Sequence, residues 1–114
     1  MNLLEVAVYA MVIGGANQPV KCTESDLGTV NCTNGLSATE NEGESLRFSN
    51  GITVNKRRGI SFSNGVTAHI DSAGWLEFSN GVSIRRDSPY RYRLNSGYIC
   101  QLVERTMVQC QDGR

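Results

Sequence analysis

The stretch Phe48-Ser49-Asn50-Gly51 recurs as Phe62-Ser63-Asn64-Gly65 and as Phe78-Ser79-Asn80-Gly81, and a drifted copy stands at Cys32-Thr33-Asn34-Gly35. Glycine closing a three-residue hairpin loop supplies the left-handed residue of a type I turn with a G1 bulge. With Ser49-Asn50-Gly51 as that loop, Phe48 faces Ile52, Arg47 faces Thr53 and Leu46 faces Val54. Side chains alternate along a strand, so Leu46, Phe48, Ile52 and Val54 share one face, with Arg47 and Thr53 on the other. The same loop gathers Ile60, Phe62, Val66 and Ala68, then Leu76, Phe78, Val82 and Ile84, and in the drifted copy Val30, Cys32, Leu36 and Ala38. A two-residue Asn-Gly turn mixes the faces in every copy. The three-residue loop sorts them all.

The links between copies follow the same grammar. Ser72-Ala73-Gly74 sets Ile70 opposite Leu76, and Asn95-Ser96-Gly97 sets Leu94 opposite Tyr98. Asp26-Leu27-Gly28 brings Cys22 opposite Cys32, and a loop at Glu104-Arg105-Thr106 brings Cys100 opposite Cys110. This register predicts the disulfides Cys22–Cys32 and Cys100–Cys110, although four cysteines also allow two other connectivities. The spacing holds no CxxC and the lone histidine is His69, so no metal site and no cofactor are expected. Paired cysteines point to an oxidising compartment and hence to export.

At 114 residues the chain is one domain with a modest core. Its net charge is zero, but the signs are segregated. Glu24, Asp26, Glu40, Glu42 and Glu44 dominate the stretch up to Ser45, whereas Lys56, Arg57, Arg58, Arg85, Arg86, Arg91 and Arg93 follow it. Segregated charge suits head-to-tail subunit contacts or a polyanion, but the favoured reading is an ordinary solvated surface.

The opening MNLLEVAVYAMVIGGA is the long apolar stretch, without Lys or Arg. Two readings of it stand open. A secretory signal accounts for the apolar middle and the small residues Gly14 and Ala16, but not for Glu5 or the missing basic start. The stretch is short for a conventional membrane span. In the second reading, Leu3-Leu4-Glu5-Val6 followed by Ile13-Gly14 resembles the mature N-terminus of type IV pilins and pseudopilins. The resemblance covers residues 1–16 and implies that Glu5 pairs with a neighbouring subunit's terminal amine, here that of Met1. It departs from the family where Asn17-Gln18-Pro19 cuts the apolar run short.

Among candidate sites, Arg85 to Arg93 interleaves arginines with Tyr90 and Tyr92. Alternation puts Arg91 and Arg93 on one face and the tyrosines on the other, which argues against base stacking and so against nucleic acid. With Lys56, Arg57 and Arg58, the arginines remain a possible contact for an anionic surface or glycan. His69 falls on the polar face without a nucleophile and acid arranged around it, so no catalytic residue is expected. Trp75 falls on the polar face near Arg85, as a ligand platform or, the favoured reading, a cation–π cover for that arginine. Glu40, Glu42 and Glu44 lack the Asp/Asn-rich spacing of a calcium loop.

The fold class expected is mainly β: an apolar N-terminal segment (1–18, assembly helix or signal peptide), then an antiparallel meander of repeated hairpins (19–114). The function expected is a non-enzymatic structural subunit of an extracellular or cell-surface filament. It would polymerise with itself through Met1, Leu3, Leu4, Glu5, Val6, Ile13 and Gly14 and through the sheet face, with membrane contact during assembly. The alternative is a secreted or periplasmic β-rich module that binds glycan or another polyanion after residues 1–16 are removed.

Overall fold

The structure is a computed structural model that describes residues 2–41, 45–57 and 59–113. Among the described residues a single helix, α1 (Leu3–Gly14), precedes twelve strands. They are β1 (Val20–Glu24), β2 (Val30–Cys32), β3 (Ser37–Asn41), β4 (Ser45–Phe48), β5 (Thr53–Asn55) and β6 (Ser61–Phe62). Then come β7 (Ala68–Ile70), β8 (Leu76–Phe78), β9 (Ser83–Ser88), β10 (Arg91–Leu94), β11 (Tyr98–Glu104) and β12 (Met107–Asp112). Every strand pairs antiparallel with its sequence neighbour, and β1 pairs with β12. The two ends of that order, β6 and β7, meet at Ser61 and Thr67, where Phe62 N–H donates to Val66 O (2.7 Å) and Ala68 N–H to Ile60 O (3.1 Å). The meander therefore closes into a ring.

Each letter of the repeated phrase has a physical task. The phenylalanines Phe48, Phe62 and Phe78 are buried in the ring. The serines stitch neighbouring hairpins together: Ser49 N–H donates to Ser37 O (2.8 Å), while Ser49 Oγ accepts from Ser37 N–H (3.0 Å). Ser63 repeats this with Thr53, and Ser79 with Thr67. In the drifted copy Thr33 does the same with Lys21. Asn50, Asn64 and Asn80 accept through Oδ1 from the N–H two residues on, at 3.1 to 3.2 Å, which holds the turn shut. Gly51, Gly65 and Gly81 take φ of 91°, 97° and 96°, where a Cβ would be strained.

The registers expected for the cysteine hairpins are the ones observed: Cys22 faces Cys32 and Cys100 faces Cys110. Both pairs are disulfide-bonded, with Cα atoms 4.0 and 3.9 Å apart, and no cysteine is free. The last hairpin departs from the expected three-residue loop. Glu104 pairs with Met107, and a bulge after Leu102 takes up Val103, so the turn is Arg105-Thr106.

Helix α1 runs inside the ring. Leu3, Leu4 and every residue from Val6 to Val12 are buried, which fits a segment apolar on all sides. It leans on β1, β2, β11 and β12, the strands at the β1–β12 join. The residues assigned to assembly therefore lie within their own chain: Leu3, Leu4 and Val6 are in the core, Ile13 packs against it, and Gly14 is exposed near Asn34. Met1 lies outside the described residues. Asn2 caps the helix by accepting from Glu5 N–H (3.1 Å), which places Glu5 where the helix dipole favours a carboxylate. At the other end Gly15 and Ala16 adopt positive φ and turn the chain out to β1. No described helix is long and apolar enough to cross a membrane.

Two amides of the repeat also reach the helix. Asn80 Nδ2 donates to Val12 O (3.1 Å) and Asn34 Nδ2 to Ala10 O (3.4 Å), which satisfies carbonyls near the helix end. Asn50 has only its turn bond among the described contacts. Asn80→Ala should therefore cost about 1 kcal/mol more than Asn50→Ala, measured by urea denaturation of the oxidised protein. Deleting residues 1–16 removes the pillar of the core, and the remaining chain should show no cooperative thermal transition by circular dichroism.

Candidate functional site: the open mouth of the ring

The two ends of the ring differ. One carries the Ser-Asn-Gly turns and is sealed around the helix C-terminus by Asn34, Asn80 and the Tyr98 hydroxyl, which donates to Asn17 O (3.1 Å). The other carries the remaining connections and surrounds the helix N-terminus. All four exposed large hydrophobics among the described residues stand in or beside those connections: Leu27 (93% exposed), Ile70 (73%), Tyr90 (62%) and Val103 (46%).

A cavity of about 220 Å³ opens at this mouth. Its position follows from the packing. The helix leans toward the β1–β12 join, and on the far side the strands are short, β6 having two residues and β7 and β8 three each. Tyr9 bridges part of the gap with its ring edge-on to Phe62 at 5.8 Å, and Phe62 meets Phe78 at 5.7 Å. What remains is walled by Val8, Ile60, Ile70, Leu76 and Ile84. Ile70 has the inward parity of its partner Leu76 yet stays exposed, because it stands at the opening.

Four polar side chains enter the cavity: Glu5, Tyr9, Arg86 and Tyr92. The Tyr9 hydroxyl donates to Glu5 Oε1 at 2.6 Å, and Lys56 Nζ lies 3.2 Å from the same oxygen. Burial, and then the Glu5 hydrogen bond, push the Tyr9 hydroxyl far above its usual range, so it stays protonated. The sequence resemblance assigned Glu5 a terminal amine as partner. In the fold its carboxylate is met by Lys56 and Tyr9 instead.

The expected basic cluster is divided by strand parity. Ile84 and Leu94 face inward as a pair, and so does the next inward pair, Arg86 and Tyr92. Arg85 and Arg93 pair on the outer face. Asp87 is the extra residue of a bulge between β9 and β10, and it binds Arg91 at 2.8 Å and Arg93 at 3.1 Å. Lys56 is committed to Glu5, Arg57 is exposed at the rim, and Arg58 lies outside the described residues. Tyr90 is exposed in its turn rather than continuing the apolar face. His69 is exposed 3.5 Å from Glu77, and Trp75 is half-buried. No metal-ligating group of three is present among the described residues, and Glu42 and Glu44 lie outside them.

Arg86 was legible by parity, two residues beyond the inward Ile84, but composition hid it among outward arginines. The cavity itself had no sequence signal, because it arises from where the helix leans. No family model, no curated protein and no solved structure matches this chain. What the geometry defines is a class: a disulfide-stapled closed β meander around an internal helix, open at one end.

Two carboxylates near this mouth are held below the usual range, Asp71 by N–H donors of Trp75 and Ala73, and Asp87 by Arg93 and Arg91. A depressed folded pKa gives stability that is present above the unfolded value of about 3.9 and lost as pH falls below it. The urea midpoint should therefore drop below about pH 4, and Asp87→Asn should flatten that acid limb. An unchanged limb would assign the acid sensitivity to other groups.

Proposed function

We propose that this protein is a non-catalytic binding module of an extracellular or periplasmic compartment, taking its ligand at the open mouth of the ring. The observation that carries this reading is a coincidence of place. The cavity and all four exposed large hydrophobics among the described residues share one end, while the other end is built of polar turns and sealed. Mostly apolar concavities with a few convergent polar groups are the usual form of ligand sites. Two disulfides support the oxidising compartment.

A filament joined through the N-terminal segment would need Leu3, Leu4 and Val6 outside the ring, and their burial within it favours the module instead. The outer arginines give weaker support for a polyanion, since Arg91 and Arg93 already share Asp87.

Titration with the neutral apolar dye Nile red tests the mouth. We expect saturable fluorescence enhancement, lost in Leu76→Trp, which fills the cavity, and retained in Thr67→Lys on the outer face. Enhancement that does not saturate, or that Leu76→Trp leaves intact, overturns the reading.

A further inference from the structure

We infer that the mouth cavity selects a short-chain anionic amphiphile: one acidic head on an alkyl tail of about eight carbons. The inference rests on the mouth being the ligand site and adds the chemistry of what enters.

The head is set by charge. Of the charged side chains that line the cavity, Glu5 is matched by Lys56 at 3.2 Å and by the Tyr9 hydroxyl on the same oxygen. The Tyr9 proton is held there by burial and by Glu5, so this trio carries no net charge into the cavity. Arg86 is the remaining charge among the described lining residues, exposed at the rim, and its side chain has no ion pair or hydrogen bond among them. Its parity turns it toward the cavity beside Tyr92, away from Asp87, which has the opposite parity and binds Arg91 and Arg93 outside. A guanidinium pairs with carboxylate or phosphate oxygens through two parallel N–H donors. The site is thus a cation facing an apolar hole.

The tail is set by volume and lining. About 220 Å³ is half as large again as an apolar cavity of about 150 Å³ that takes one benzene, which makes room for a short alkyl chain. Val8, Ile60, Leu76 and Ile84 offer only carbon to such a chain, and Ile70 stands exposed at the entrance where the tail would pass. Glu5 favours a cationic ligand less than its charge suggests, since Lys56 neutralises it. The choice between anion and cation therefore falls to Arg86.

Isothermal titration of the oxidised full chain with octanoate, octyl phosphate, octylamine and octyl glucoside separates the alternatives. Either anion should bind at one site per chain, and the stronger of the two identifies the head. Along hexanoate, heptanoate and octanoate the affinity should rise roughly fourfold per methylene, then level off once the cavity is full. Arg86→Ala should weaken octanoate about tenfold or more, with Arg86→Lys restoring part of the loss. Arg93→Ala, on the outer face, should change nothing. Octylamine or octyl glucoside binding as tightly as octanoate overturns the anionic head while leaving the mouth as the ligand site. Failure of all four to bind, together with failure of Nile red, overturns both. Melting curves of each variant keep loss of binding distinct from loss of fold.

Discussion

The structure depends on the mutual burial of a helix without a polar face and a sheet with one greasy side. A segment that is apolar all round has no stable place on a surface, and a meander of short hairpins cannot hide its inner face alone. Each is the other's solvent shield. Helix α1, about 18 Å long at 1.5 Å per residue, fills the ring from the sealed end to the mouth, and its side chains occupy what would otherwise be a hollow. Closure of the ring follows from the same requirement, since every strand must turn its inner residues toward one central rod. It also leaves no described strand without a neighbour, which removes the unpaired edges that sheets otherwise expose.

The local half of this architecture was legible. Glycine at positive φ, asparagine closing the turn and the alternation of Leu46, Phe48, Ile52 and Val54 set the hairpin register and, with it, both disulfides. These are contacts between residues close in sequence, so pattern alone can find them. The non-local half was not. Pairing of β1 with β12 joins Lys21 to Gln109, and nothing in either strand names the other. Nor does hydrophobicity say where an apolar helix goes: a core pillar, an assembly helix and a signal segment share that composition. The capping pair Asn2 and Glu5 was the one available hint, because it gives Glu5 a task within its own helix.

The difference between the two ends also comes from the helix. Its terminal carbonyls need donors, and Asn80 provides one to Val12 while Asn34 reaches Ala10 just before them, both from turns drawn close over that end. A turn that serves the helix cannot also leave room for a guest. At the N-terminus the need is opposite in sign, and it is met from within by Asn2 and by the carboxylate of Glu5. Nothing has to close over that end, so the connections there are free to vary, and they hold Leu27, Tyr90 and the arginine-rich bulge.

Placing Glu5 at that terminus has a further consequence for the chemistry of the mouth. A half-buried carboxylate beside an apolar cavity is costly unless it is paired, and Lys56 with the Tyr9 hydroxyl supply the pairing. Once that cost is offset, the helix end contributes polarity without net charge, and any selectivity by charge must come from the wall. On the wall, strand alternation decides which charge is offered. Asp87 has the outward parity of Arg85 and binds Arg91 and Arg93 outside, while Arg86 takes the inward place opposite Tyr92. The bulge sets Ser88 rather than Asp87 opposite Arg91, so Asp87 stands outside the ladder and serves both outer arginines. Parity thus keeps the inner arginine apart from the acid that ties the outer ones, so that the face each residue takes, rather than the count of basic residues, sets the electrostatics of the opening.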